Sequence, residues 1–175
     1  MQNEKYISEI VANVIKSMQD GGSAPASDKR LKGVFDTMSE ALAAVDKAYK
    51  QLRGYSVEQR EKMIAKIREY TRAEAENMAK LGVEETGMGR VSDKIIKHML
   101  VADKTPGTED LSPSVRTGDC GMTLVEMAPF GVIGSITPST NPSETVICNS
   151  MGMIAAGNGV VFNPHPGAIA TSNYA

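Results

Sequence analysis

Apolar positions along this chain recur at three- and four-residue steps over most of its length, then give way to short extended runs near the carboxyl end. From Met1 to Gln19, the residues Ile7, Ile10, Val11, Val14, Ile15 and Met18 share one stripe of an amphipathic helix, with Glu4, Lys5, Glu9, Asn13 and Lys16 elsewhere. Asp20 to Asp28 is Gly, Ser, Ala and Pro, a flexible linker by composition, taken here to extend over 20–33. From Val34 to about Gly87 the pattern is helical again. Val34, Met38, Ala41, Leu42, Val45, Ala48, Tyr49 and Leu52 form one stripe. Ser56 opens the next helix, with Gln59 three residues on as its capping-box partner. Met63, Ile64, Ile67, Tyr70 and Thr71 continue it, Met78, Leu81 and Val83 are core candidates, and Arg60, Lys62, Lys66, Arg68 and Glu69 read as its solvated face. Val91 to Asp103 is another amphipathic helix, apolar at Ile95, Ile96, Met99 and Leu100. Lys104 to Asp119 reads as a loop, and Met122 to Met127 alternates as a strand.

The most structured stretch runs from Ala128 to Gly167. Gly131 to Ile136 is an apolar run too short and too Gly-rich for a helix. Thr137-Pro138-Ser139-Thr140-Asn141-Pro142 breaks it, and the prolines bias Thr137 and Asn141 towards extended backbone. From Ser143, with Glu144 an N-terminal signal, Val146, Ile147, Ser150, Met151, Ile154 and Ala155 follow helical spacing, and Gly157-Asn158-Gly159 ends it. Val160 to Phe162 is the second strand. The spacing predicts a βαβ unit with a polar loop at the carboxyl end of its first strand, the edge where open α/β sheets bind ligands.

Composition narrows the function classes. Acidic and basic residues nearly balance at a formal charge of −2, which leaves no electrostatic footprint for nucleic acid. No apolar run approaches the ~20 residues needed to span a membrane, and no secretory h-region is present. Two cysteines make no disulfide framework and point to a reducing cytosol. The last residues, Thr171 to Ala175, read as the opening of a further helix, so the chain is expected to be the N-terminal part of something longer.

Several residues have two readings. Glu84-Glu85 could do acid–base work or hold a metal, but neighbours on a helix diverge by about 100°, which favours a plain helix end before Gly87. His98 has no partner motif and reads as structural or solvated. Cys120 sits in a loop without a neighbour that would activate it, and Cys148 reads as a small hydrophobe in the buried helix. The helix over 1–19 could fold back on the body or serve as a detachable docking peptide. Polar groups at Thr137 to Pro142, together with the helix N-terminus near Ser143, could hold an oxyanion or a nicotinamide amide, although a G-x-G-x-x-G fingerprint is absent.

Pro129-Phe130-Gly131-Val132-Ile133-Gly134, Thr137-Pro138-x-x-Asn141-Pro142, Ala155-Ala156-Gly157-Asn158 and Asn163-Pro164-His165-Pro166-Gly167 together resemble the aldehyde dehydrogenase superfamily. Glu85 to Gly89, Thr105 to Leu111 and Thr117 to Asp119 narrow the resemblance to its CoA-acylating branch, the propionaldehyde and acetaldehyde dehydrogenases of propanediol- and ethanolamine-utilisation microcompartments. The resemblance runs from about Val34 to the end. It implies α/β architecture: N-terminal helices, then the first βαβ part of a Rossmann-type cofactor domain over 34–175, incomplete.

It also implies roles. The loop Thr137 to Asn141 would pass beneath the nicotinamide of NAD, with Thr137, Pro138 and Ser139 on the cofactor and Thr140 or Asn141 donating to the oxyanion. Non-acylating members have P-W-N-F-P where this chain has P-S-T-N-P, so ungapped alignment puts Thr140 at the donor asparagine. Asn163 replaces a ribose-binding lysine, and His165, Pro166 and Gly167 would line an adenosine site shared in turn by NAD and coenzyme A. Chemistry in the branch is covalent: a cysteine thioester forms from a small-molecule aldehyde and is captured by CoA. That cysteine lies in a catalytic domain not contained in this sequence, so the chain alone is expected to be inactive. The resemblance favours an encapsulation peptide at Met1 to Gln19, with Ile7, Ile10, Val11, Val14 and Met18 meeting a microcompartment shell protein. A homo-oligomer is implied for the complete enzyme, and a non-catalytic docking module is the alternative.

Overall fold

A computed structural model describes residues 31–175. The expected helix over 1–19, its stripe residues Ile7, Ile10, Val11, Val14 and Met18, and most of the linker over 20–33 lie outside the described residues. Gly33–Ala175 form one unit. Helix α1 is Met38–Leu52, begun by Thr37, whose hydroxyl accepts the Glu40 N–H, so Val34 lies outside it. Helix α2 is Val57–Thr86, longer and less interrupted than its two apolar segments suggest. Ser56 Oγ accepts from the Gln59 N–H at 3.2 Å while Gln59 Oε1 accepts from the Ser56 N–H at 2.9 Å, closing the expected capping box. Gly87 stops the helix in the left-handed region at φ 67°, where its N–H reaches the Val83 carbonyl.

Helix α3 is Val91–Lys104. A 3₁₀ turn at Thr108–Asp110 leads to strands β1 (Ser114–Gly118) and β2 (Gly121–Val125), an antiparallel hairpin turning at Asp119-Cys120. The expected loop over 104–119 therefore contains a strand. Both faces of the hairpin are exposed, so no burial pattern marks β1. Strand β3 (Val132–Thr137), helix α4 (Pro142–Ala155) and strand β4 (Gly159–Pro164) form the expected βαβ unit, with β3 and β4 parallel and Thr137 opposite Pro164. Pro166–Ala168 is a 3₁₀ turn, and α5 is Ile169–Tyr174. No helix among the described residues is long and apolar enough to cross a membrane.

The core lies between α2 and α4, where Ile64 and Met78 meet Ile147, Met151 and Ala155, flanked by Ile67, Val101 and Ile154. Two arginines expected on the solvated face of α2 turn inward because carbonyls at the ends of other helices need donors. Arg60 Nη1 donates to the Ala155 carbonyl at 2.6 Å, ending α4. Arg68 donates to the carbonyls of Ala102 and Thr105 at the end of α3. Lys62 and Lys66 stay in solvent, paired with Glu58 and Glu69.

Two features set the sheet. Asn158 is buried, and its Oδ1 accepts the Gly131 N–H at 3.0 Å, tying the start of β3 to the start of β4. Gly159 admits α1 closely: a Cβ there would stand 2.9 Å from Val45 Cγ2 and 3.2 Å from Tyr49 Cβ. Cys148 corrects its expectation. It projects from α4 into solvent, because the buried side of that helix is taken by Val146, Ile147, Met151 and Ala155.

Candidate functional site

The loop between β3 and α4 leaves the sheet at its carboxyl edge. Asn141 is the N-cap of α4, and Pro142 follows at the first position, where its missing N–H costs no hydrogen bond. The helix therefore opens one residue before Ser143. The Asn141 carbonyl accepts from the Thr145 N–H at 3.0 Å and from Thr145 Oγ1 at 2.6 Å, while its side chain makes no cap hydrogen bond. That side chain turns towards α3.

Helix α3 meets the loop with two lysines. Lys94 is 4% exposed, and its Nζ donates to the Thr140 carbonyl at 3.2 Å. Lys97 is half-exposed and donates to Asn141 Oδ1. Between them lies Glu144, 5% exposed, with Oε1 at 3.9 Å from Lys94 Nζ and 3.7 Å from Lys97 Nζ. A carboxylate in the first turn of α4 also meets the positive end of the helix dipole. An ion pair removed from water in this way survives only because each charge has a partner.

His98 is fully buried beside this pair. Its Nδ1 lies 2.7 Å from the Lys94 carbonyl, which can only accept, so Nδ1 carries the proton and donates it. Nε2 then accepts from Ser143 Oγ at 2.8 Å. Ser143 has one proton to share between that nitrogen and Glu144 Oε2 at 3.2 Å. Burial pushes the His98 imidazole below its ordinary value of 6.5, against the opposing pull of Glu144 and of the hydrogen bond to Lys94. Ser143 and His98 have the spacing of a nucleophile and base, but both are sealed from solvent, so the pair is structural.

The second side of the edge comes from β4. The His165 N–H donates to the Thr137 carbonyl at 3.1 Å, which brings the ends of the two strands together. His165 Nδ1 accepts the Gly167 N–H at 3.0 Å, so its ring proton sits on Nε2. Thr137 Oγ1 is buried at this junction without a hydrogen-bond partner among the described residues. Ser135 Oγ, two residues back on the same face, accepts from Asn149 Nδ2 at 3.0 Å. Beyond the edge, Glu85 holds the start of α5: its carboxylate accepts from the N–H groups of Ala170 and Thr171 and from the Thr171 hydroxyl, at 2.6 to 2.8 Å. Burial works to raise this carboxyl, and those hydrogen bonds outweigh it, leaving Glu85 below its ordinary value. Among the described residues no group of His, Cys, Asp and Glu is placed to hold a metal ion.

Residues 27–175 match the aldehyde dehydrogenase family. The chain belongs to the aldehyde dehydrogenase family. It is 49% identical over 166 residues to the acetylating acetaldehyde dehydrogenase EutE of Salmonella typhimurium, covering 95% of this chain and 35% of that protein. A propionaldehyde dehydrogenase from the Clostridium phytofermentans fucose utilisation bacterial microcompartment is 60% identical, with a TM-score of 0.78 over 81% of this chain and 33% of its own. The Rhodopseudomonas palustris propionaldehyde dehydrogenase, solved with bound CoA and an acylated cysteine, is 48% identical, with a TM-score of 0.77 over 85% of this chain and 34% of its own. The chain thus spans about a third of the length of these relatives.

In this aldehyde dehydrogenase chain the residues singled out in sequence fall into two groups. Thr137, Pro138 and Ser139 share the carboxyl edge of the sheet with Asn163, His165, Pro166 and Gly167. Thr140 and Asn141 stand at the start of α4, against α3. Sequence reasoning gave no part to Lys94 or Lys97 and read Glu85 as a plain helix end. The available signal was a second stripe on α3, Lys94, His98 and Ala102 at four-residue steps, opposite Ile96 and Leu100.

Proposed function

We propose that this chain supplies the cofactor-facing part of an enzyme that converts a short-chain aldehyde, propionaldehyde or acetaldehyde, to its acyl-CoA. In this reading the domain boundary falls near residue 33, and 34–175 are the N-terminal part of the NAD- and CoA-binding domain. The observation that carries it is the junction of the β3–α4 loop with the end of β4 at one sheet edge, in a chain half-identical to an acetylating dehydrogenase.

The edge fits a nicotinamide dinucleotide. Thr137 offers a buried hydroxyl with no partner among the described residues, and Asn163 to Gly167 are exposed beside it apart from half-buried Pro164. Thr137, Pro138 and Ser139 would hold the nicotinamide end, and Asn163, His165, Pro166 and Gly167 the adenosine end of NAD or, in turn, of CoA. When bound, NAD supplies a hydride acceptor. In this reading a cysteine thiolate would add to the aldehyde carbon, hydride would pass from the adduct to NAD to leave a thioester, and the CoA thiol, losing its proton, would displace the enzyme thiolate to give acyl-CoA. The nucleophilic cysteine belongs, in this reading, to the part of the enzyme this chain does not span. Thr140 or Asn141 donates a hydrogen bond to the carbonyl oxygen as charge develops on it.

Formation of NADH and acyl-CoA by the enzyme that carries this chain, with both aldehydes compared, tests the reading. Turnover in the complete enzyme and none above background in the 175-residue chain is the expected result. Failure of the complete enzyme to form acyl-CoA overturns it.

A microcompartment relative and the amphipathic pattern of Met1 to Gln19 support a second element. Ile7, Ile10, Val11, Val14 and Met18 would dock on a shell protein and carry the enzyme into a microcompartment. A fluorescent protein fused to residues 1–22 should collect in intact shells, and diffuse fluorescence counts against this. The exposed β1–β2 hairpin, with Val115, Met122 and Leu124 in solvent, suits assembly into a homo-oligomer.

A further inference from the structure

The contacts of Asn141 fix the sense of every hydrogen bond around it. A lysine ammonium only donates, so the Asn141 atom facing Lys97 is the carbonyl oxygen Oδ1. The amide nitrogen Nδ2 is thereby turned the other way, 3.5 Å from Thr140 Oγ1, and a carboxamide N–H only donates. Thr140 Oγ1 therefore accepts from Asn141, and its own single proton is left to point elsewhere. Thr140 is exposed, its hydroxyl has no other protein partner among the described residues, and Lys94 pins its carbonyl from beneath.

We propose that Lys97, acting through the Asn141 carboxamide, is a positioning residue that leaves the Thr140 hydroxyl as the outward hydrogen-bond donor at the reacting carbonyl. The proposal rests on the functional reading above and decides between its two donor candidates. Charge runs one way along the chain: ammonium to amide oxygen, amide nitrogen to hydroxyl oxygen, hydroxyl proton to the substrate oxygen. Each link polarises the next in the sense that favours an anion beyond Thr140. Asn141 is half-buried, with its Oδ1 and one of its two Nδ2 protons engaged within the loop and α3.

The deciding variant is Asn141→Asp in the enzyme that carries this chain. An aspartate keeps the Lys97 contact and makes it an ion pair, but its second oxygen accepts the Thr140 proton and takes the donor away. Asn141→Asp should lose about 10²-fold in kcat for acyl-CoA formation, as should Thr140→Val, with the KM for NAD within about threefold of wild type and the melting temperature preserved. Thr140→Ser keeps the donor and should retain kcat within about fivefold. Lys97→Met should lose about tenfold, and Lys97→Arg should recover most of it. A merely structural role for Asn141 predicts instead that Asn141→Asp is active.

Full kcat in Asn141→Asp or Thr140→Val overturns the proposal. A second measurement needs no turnover. In the 175-residue chain, the Asn141 Nδ2 protons should show nuclear Overhauser contacts to the Thr140 side chain and none to the Lys97 ε-methylene, and the reverse pattern overturns the proposal whatever the assay gives. A wild-type enzyme that forms no acyl-CoA while keeping the expected contacts overturns the functional reading, and the donor role of Thr140 with it.

Discussion

Helices α3 and α4 carry equally regular apolar stripes and treat them in opposite ways. α4 buries its own: Val146, Ile147, Met151 and Ala155 face α2 and the sheet. α3 buries Lys94, His98 and Ala102, and leaves Ile96 at 66% and Leu100 at 56% exposure. The difference is one of partners. Burying a polar stripe is tolerable only when each group finds its complement, and the start of α4 supplies one for each. Glu144 meets the two lysines, the Thr140 carbonyl and Asn141 Oδ1 take their protons, and Ser143 serves His98. A hydrophobic stripe shows which side of a helix can be buried; the charges opposite decide which side is.

The largest effect should come from leaving one buried charge alone. Glu144→Ala strands Lys94 in the interior and should destabilise the chain by about 3–5 kcal/mol in urea unfolding. Adding Lys94→Met to it should recover much of the loss, because the penalty lies in the unpaired charge. The matching cut in the apolar region, Met151→Ala, should cost about 2–5 kcal/mol, and no second substitution on α3 should recover it.

A smaller effect follows from His98, whose folded value lies below 6.5. Below that pH the unfolded chain binds a proton that the folded chain refuses, so stability present above about pH 6.5 is lost as pH falls towards the folded value. The slope reaches at most about 1.4 kcal/mol per pH unit. Urea midpoints compared at about pH 7 and 5.5 should show it, and His98→Gln should flatten it. Smallest of all, Ile96→Ser and Leu100→Ser should each change the stability of the chain by no more than about 0.5 kcal/mol. A loss well above that would mean that α3 buries its apolar face after all.

The same contrast explains what was legible in sequence. The βαβ unit could be read because its signals are local: the spacing of Val146 to Ala155, the stop at Gly157, the short run of β4. The Ser56–Gln59 capping box is three residues wide and equally plain. Strand β1 was hidden, since Ser114 to Gly118 lies within a stretch rich in Pro, Gly, Thr, Ser and Asp that reads as a loop, and no buried face marks it. The loop residues Thr137 to Asn141 could be singled out by composition and resemblance, but nothing near them in sequence names what underpins them. Lys94 and Glu144 are 50 residues apart along the chain, and the Glu85 carboxylate meets its Thr171 partner across 86 residues. Arg60 and Arg68 were misread for the same reason, because the carbonyls they serve belong to distant helix ends.

If the polar face of α3 serves to hold the β3–α4 loop, the loop should loosen when one of its supports is cut without disturbing the core. Lys97 is half-exposed, so Lys97→Met removes the contact to Asn141 and strands no fully buried charge. Amide hydrogen exchange at Thr145, whose N–H donates to the Asn141 carbonyl at 3.0 Å, reports on the loop. Gly159, whose N–H donates to the Gly131 carbonyl at 2.9 Å, reports on the far end of the same sheet. Exchange at Thr145 should quicken at least about tenfold relative to Gly159 in Lys97→Met. Rates that change equally at the two amides, or not at all, would contradict the account.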